Sequence, residues 1–185
     1  MSFVLPIMNV KTQSLLVLCA FPFMACGQVA VKNTPQETTE KQEMKNPYYS
    51  RTSTAKLRLS DEEWKVVLPE DVYNISRQKG TERAFTGDYW DYDGLGNYYC
   101  AACGNHLFIS DAKFSSQCGW PSFYEPASEN SVEYKKDLSH GMIRTEVLCG
   151  RCNGHLGHIF DDGPPPTHKR FCMNSIVLDF EPLEK

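Results

Sequence analysis

No run of this 185-residue sequence is apolar for the roughly 20 residues that a membrane-crossing helix needs. No segment is dense in Lys and Arg, and the formal net charge is −4, so a nucleic-acid partner is not expected. Neither an internal repeat nor a second core is visible, which leaves one ordinary domain. At 41% hydrophobic and 12% aromatic residues, the chain can fill a sizeable core for it. Apolar residues are also scarce between Gln28 and Ala55, where Thr, Gln, Glu, Lys, Asn and Pro dominate. Such a composition buries too little to offset its ordering, so residues 27–56 read as a disordered tether and residues 57–185 as the domain.

What precedes the tether is different. After Lys11 comes "SLLVLCAFPFMACG", with an apolar run from Leu15 to Ala25. A basic residue, a short apolar run and a small residue describe an export signal over residues 1–26. Met8, closer to Lys11 than Met1 is, offers a second candidate start. The ending Ala25-Cys26-Gly27 resembles a bacterial lipoprotein processing site, in which Cys26 becomes the lipidated N-terminus; Phe23 and Met24 are bulkier than the usual residues there. The expectation is an exported, envelope or periplasm-facing protein that meets the membrane only through that lipid. An ordinary secretory signal is the alternative.

Within the domain, "LSDEEW" offers Ser60 as an N-cap with Glu63 three residues on, a capping box. "LPEDVYNISRQKG" reads as a short helix with Pro69 in its first turn and Gly80 as its stop. Further on, helical periodicity fades. Short β-prone runs follow, "NYYCAACGNHLFIS", "SVEYKK", "MIRTEVLC", "HIF" and "FCMNSIVLDFEP", separated by Gly, Pro and Asp. The expected fold is mainly β, a small antiparallel domain with short N-terminal helices.

Eight cysteines stand out, four of them in two CxxC knuckles, Cys100/Cys103 and Cys149/Cys152. Two intervening residues let both sulfurs of a knuckle converge on one ion, with Gly104 and Gly150 allowing the backbone to turn beneath it. Four thiolates complete a tetrahedral zinc site with no open position, which is a structural site, one zinc per chain. Disulfides or a redox-active CxxC are the rival readings in an oxidising compartment. His155 and His158, in "CGRCNGHLGHIF", could replace a sulfur; if four thiolates saturate the metal, both imidazoles are free for proton chemistry.

Two cysteines of the domain remain unpaired. Cys172 lies between Arg170 and Asn174 in "RFCMNS", and in a strand those three side chains share one face. A guanidinium nearby favours the thiolate, the nucleophilic form. A small buried cysteine in an apolar strand is an equally good reading of those residues alone. Cys118 sits in the turn-rich "SSQCGWPSF", where a loop cysteine can swing towards another sulfur and Trp120 offers a flat apolar wall; a packed Trp on a Pro turn is the bland alternative.

Six segments, "GTERAFTGDY", "YYCAACGNHLF", "CGWPSFYEP", "HGMIRTEVLCGRC", "HLGHIFDDGP" and "RFCMNSIVLDF", occur in the order and spacing of the B-type peptide-methionine sulfoxide reductases, which the domain resembles from Leu57 to Pro182. The resemblance implies a fold of antiparallel sheets and a catalytic nucleophile at Cys172, with Cys118 resolving. It also implies zinc ligands at Cys100, Cys103, Cys149 and Cys152, and a substrate-methyl wall at Trp120. His155, His158, Asp162, Arg170 and Asn174 match active-site positions of that family. Gln117 stands where the family commonly has glycine, and Phe171 and Asn153 where Tyr and Asp are frequent; "PPTHKRF" is unusual before the nucleophile.

The activity so implied is reduction of methionine R-sulfoxide in oxidised proteins or peptides. A thiolate attacks sulfur while a histidine protonates the departing oxygen. The resulting sulfenic acid condenses with a second thiol, and a thioredoxin-type reductant reopens the disulfide. The domain is expected to act as a monomer. A non-enzymatic zinc-binding interaction module and a thiol–disulfide exchange protein are the competing functions; inert knuckle thiols separate zinc from the second.

Overall fold

The computed structural model describes residues 46–184. The expected signal, Cys26 and the first part of the tether lie outside the described residues. Two short helices open the domain. In α1 (Asp61–Val67) the Ser60 hydroxyl accepts from the Glu63 N–H while the Glu63 carboxylate accepts from the Ser60 N–H, the expected capping box. A cap of this kind contributes about 1 kcal/mol. Pro69 stands one position outside α2 (Glu70–Ser76) as its N-cap, and Val72 and Ile75 turn into the core. The helix stops four residues before Gly80, and Lys79 takes a positive φ of 58° on the way out.

Nine strands follow. β1 (Gly96–Cys100) pairs with β2 (His106–Ile109) and with β9 (Leu178–Pro182) to give a three-stranded sheet, order β2-β1-β9. The second sheet has six strands: β3 (Lys113–Phe114), β4 (Ser122–Phe123), β5 (Val132–Asp137), β6 (Arg144–Cys149), β7 (His155–Phe160) and β8 (Arg170–Met173). Its order is β3-β4-β8-β7-β6-β5, so β3 and β5 are its edges. Every pairing is antiparallel. The mainly β expectation holds, and each β-prone run of the sequence forms one or two of these strands.

Aromatic side chains join the sheets. Phe108 from β2 stacks on Phe123 from β4 at 4.3 Å, and Tyr98 from β1 meets Phe123 edge-on at 5.0 Å. All three are fully buried. Trp64 of α1 is equally buried, with Tyr48 edge-on against it at 5.8 Å and the Arg77 guanidinium over its ring.

The tether ends earlier than its composition predicts. Residues 46–56 lie along the domain, held by polar bonds rather than by a large apolar surface. Asn46 Nδ2 donates to the Ala102 carbonyl (2.8 Å) and the Ser50 N–H to that of Cys103 (3.0 Å). Arg151, buried inside the second CxxC knuckle, donates to the Ala55 and Ser50 carbonyls, each at 3.1 Å, and to that of Cys103. Arg51 adds ion pairs to Asp179 and Glu181 on β9. Arg151→Ala leaves three carbonyls without this donor; we expect a loss of about 3 kcal/mol and a fall in Tm of about 10 °C, measured by thermal unfolding. A chain beginning at residue 57 should match that variant, whereas one beginning at residue 46 should melt like the full chain.

Candidate active site

The two knuckles are built alike. Cys100 ends β1 and Cys149 ends β6; in each, the cysteine carbonyl accepts an N–H from the far side of the turn, that of Gly104 (2.7 Å) or Asn153 (2.9 Å). The residue after the second cysteine takes the left-handed conformation, Gly104 at φ 78° and Asn153 at φ 56°. Asn153, not Gly150, therefore supplies the second turn, asparagine being among the few residues that tolerate it. Gly150 is needed for another reason: a Cβ there would lie 2.0 Å from the Asn130 carbonyl oxygen.

These turns bring all four sulfurs within 4.8 Å of one another, fully enclosed. Cys100 and Cys152 are 3.8 Å apart and Cys103 and Cys149 3.6 Å, neither pair being bonded. A tetrahedral ion with metal–sulfur bonds of about 2.3 Å requires sulfurs about 3.8 Å apart, so the donor set fits a closed four-thiolate metal site. Neither histidine belongs to this cluster.

Some distance along the chain, a cavity of about 130 Å³ opens where β7 and β8 meet the Cys118 loop. It has room for about four waters, enough for the tip of a side chain. Cys172, Trp120, His155, His158, Arg144 and Asn174 line it. Cys172 lies on β8 directly opposite His158 on one side and Ser122 on the other. Residues three apart on a regular strand face opposite ways, yet His155 and His158 share this cavity with ring centroids 5.5 Å apart. A bulge makes the difference: Val147 faces Gly157 and Leu148 faces His155, leaving Leu156 as the extra residue.

Each imidazole has its own carboxylate. His155 Nδ1 lies 2.8 Å from Glu146 Oε1, and His158 Nε2 lies 2.8 Å from Asp137 Oδ2. Burial pushes the His155 pKa down, with Glu146 opposing, so the ring is neutral near pH 7 and Nε2 is left for the cavity. Burial raises the Glu146 carboxyl, but Lys79 at 2.7 Å and His155 outweigh it and hold it below the usual range. The Ser139 hydroxyl and N–H, then His158 and Arg144, depress Asp137. None of Glu146, Asp137 and Arg144 is marked in the sequence as a site residue. The legible signal is a glutamate placed directly before the apolar Val147-Leu148-Cys149 end of β6.

Cys118 Sγ lies 3.6 Å from Cys172 Sγ. The Ser116 hydroxyl is 2.9 Å from Cys118 and that of Ser122 3.6 Å. The Cys172 thiol, then these hydroxyls, bring the Cys118 pKa down to about 4, against the effect of burial. Cys172 is pushed up by Cys118 and by burial, which together exceed the opposing pull of Arg170. The two sulfurs are too close to ionise together, so the pair holds one thiolate and one proton between them. The Arg170 guanidinium pulls Cys172 towards the thiolate, as expected of a nearby cation. Arg170 is itself bidentate to Asp162 at 2.8 Å on both contacts and stacked over Phe160. Asp162 thus touches Arg170, and neither lines the cavity.

Trp120 donates its indole N–H to the Glu82 carbonyl at 3.2 Å. Asn174 is buried, its amide oxygen accepting from the Glu82 N–H and its Nδ2 donating to the Leu156 carbonyl at the bulge. Gln117 has φ 58° beside Cys118, a conformation that glycine adopts freely and other residues at about 1 kcal/mol.

The SelR domain model matches residues 68–182. The chain is similar to the peptide methionine sulfoxide reductase MsrB of Thiobacillus denitrificans, 56% identical over 68% of this chain and 95% of that protein. It resembles the protein of the same name from Bradyrhizobium diazoefficiens at 53% identity, over 72% of this chain and 96% of the relative. A third relative of that name, from Agrobacterium fabrum, is 48% identical over 72% of this chain and 99% of its own. The knuckles, the cysteine pair and the paired histidines all fall within the matched residues, and the chain belongs to the SelR-domain family of peptide methionine sulfoxide reductases.

Proposed function

We propose that this enzyme reduces the R epimer of methionine sulfoxide in oxidised proteins or peptides, with Cys172 as nucleophile and Cys118 as resolving thiol. The observation that carries this reading is the pair of sulfurs 3.6 Å apart, with Cys172 lining a cavity shared with Trp120, His155 and His158. The substrate methyl rests against Trp120. Cys172 passes its proton to an imidazole of the cavity and attacks the sulfoxide sulfur; the imidazolium gives that proton to the oxygen, and the sulfoxide S–O bond breaks as the hydroxyl shifts to Cys172. Methionine leaves, and Cys172 is a sulfenic acid. Cys118 then attacks that sulfur, water departs, and a disulfide forms. In balance, one sulfoxide and two thiols become one thioether, one disulfide and one water; a thioredoxin-type reductant restores the thiols. The short gap between sulfurs favours this step, because closure to about 2.05 Å is within reach of a loop movement.

Removing the Cys172 nucleophile should lower even single-turnover reduction by about a thousandfold or more. Cys172→Ser is the variant and peptide methionine R-sulfoxide the substrate. Cys118→Ser should complete that first turnover, accumulate a sulfenic acid captured by dimedone, and fail to recycle with thioredoxin. A Cys118→Ser protein that cycles at the wild-type rate would place resolution elsewhere.

The metal of the four-thiolate cluster is, in this reading, one structural zinc per chain, held by Cys100, Cys103, Cys149 and Cys152. It holds the fold and takes no part in the reaction. Cys103→Ala should lose zinc by elemental analysis and melt at least about 10 °C lower; a metal-free protein with wild-type Tm and turnover contradicts the assignment.

The domain acts as a monomer outside the cytoplasm, tethered through a lipidated Cys26. The basis is the Lys11 to Cys26 segment of the sequence. Labelled palmitate should enter the wild-type chain and not Cys26→Ala, and mass spectrometry should find a mature chain beginning at Cys26. An intact Met1 or Met8 N-terminus in the producing cell defeats this proposal.

A further inference from the structure

Glu82 stands in the coil between α2 and β1, buried to 7% exposure, in none of the roles described above for side chains. Its carboxylate takes two backbone N–H groups, Ser175 at 2.7 Å and Ile176 at 3.0 Å, in the turn that follows the nucleophile strand. Burying a carboxylate without a cation is expensive, and main-chain donors are what make it tolerable. Its own main chain serves the site as well. The Glu82 carbonyl accepts the Trp120 indole N–H at 3.2 Å, and the Glu82 N–H donates to Asn174 Oδ1 at 3.0 Å.

One residue therefore holds two parts of the cavity wall and the turn that follows the nucleophile strand. Trp120 comes from the Cys118 loop. Asn174 follows Cys172 by two positions and reaches the Leu156 carbonyl between the two histidines. The Ser175–Ile176 turn fixes the end of the nucleophile strand. Space is reserved for this arrangement: a Cβ on Gly87 would come within 2.7 Å of Glu82 Oε1 and 2.3 Å of Ser175 Oγ.

We propose that Glu82 is a positioning residue that sets the separation between the Trp120 wall and the Cys172 sulfur. The proposal rests on the functional reading given above. The carboxylate pins residue 82 to the nucleophile turn, and the main chain of the same residue pins Trp120 and Asn174 to it. Without the carboxylate, the coil is released from the turn and the wall drifts from the sulfur. Glu82 touches neither substrate nor sulfur, so the intrinsic reactivity of Cys172 should persist when it is replaced.

The test compares Glu82→Ala and Glu82→Gln with wild type on peptide methionine R-sulfoxide, alongside alkylation of Cys172 by iodoacetamide in a Cys118→Ser background. Glu82→Ala should lose at least about tenfold in kcat/KM, since a misplacement of about 1 Å can cost up to 100-fold. Alkylation should stay within about twofold, because the thiol itself is untouched. Glutamine keeps one acceptor but turns a donor towards the second N–H, so Glu82→Gln should fall between the two, by about threefold or more. In a Trp120→Ala background the Glu82→Gln step should cost less than about twofold, because residues acting as a unit are non-additive.

Should Glu82→Ala fail to fold, Glu82→Gln decides. Wild-type kcat/KM in a folded variant overturns the proposal, and so does a loss of turnover matched by an equal loss of alkylation, or full additivity with Trp120→Ala. A Cys118→Ser protein with Glu82 intact that forms no sulfenic acid on Cys172 under the same conditions overturns the functional reading itself. Sulfenic acid in that protein with unaffected Glu82 variants overturns only the role of Glu82.

Discussion

The convergence of four cysteine sulfurs is the constraint on which the rest of the structure depends. Cys100 terminates a strand of the three-stranded sheet and Cys149 a strand of the six-stranded one, so the cluster joins the sheets at one end while Tyr98, Phe108 and Phe123 join them in the middle. Four buried thiols within a few ångströms have no water to solvate them, and a bound cation is the arrangement that relieves them as thiolates. The second knuckle runs directly into β7, with only Asn153 and Gly154 between Cys152 and His155. The start of the histidine strand is thereby fixed by the cluster.

From that fixed start, strand pairing carries position across the sheet. β7 presents His158 to Cys172, and β6 and β5 present Glu146 and Asp137 to the imidazoles from behind. The two pairs use opposite ring nitrogens, Nδ1 in His155 and Nε2 in His158. A carboxylate behind each ring fixes its tautomer and leaves the other nitrogen for the cavity. Charge is paired likewise, Arg144 with Asp137 and, outside the cavity lining, Arg170 with Asp162. The cavity wall itself is mixed, with an indole face, two imidazoles, the Arg144 side chain and the Cys172 sulfur.

Local signals in the sequence lead directly to the helices, the strands and the knuckles. Ser60 and Glu63 cap a helix with no help from distant residues, and a CxxC turn closes within five residues. The family resemblance adds the roles of Cys118, Cys172 and Trp120, which spacing alone left open. What was not legible depends on partners far away in the chain. Glu146 and Asp137 meet rings 9 and 21 positions away, and Glu82 reaches Trp120 and Asn174 with its main chain, which side-chain patterns do not reveal. The bulge at Leu156 likewise has no composition of its own. Residues 46–56 read as tether because their side chains are polar, yet Arg151 holds them by their carbonyl oxygens.

β5 ends the six-stranded sheet, and one row of its backbone donors and acceptors has no neighbouring strand. Glu133, Tyr134, Lys135 and Lys136 along it are all exposed, three of them charged. An enzyme that handles oxidation-damaged polypeptides meets loosened, extended chains as a matter of course, and an uncharged edge would zip onto them through main-chain bonds regardless of where the sulfoxide lies. Glu133, Lys135 and Lys136 on the edge make such annealing unfavourable. The charged edge thus keeps the sheet from becoming a template for extended chains.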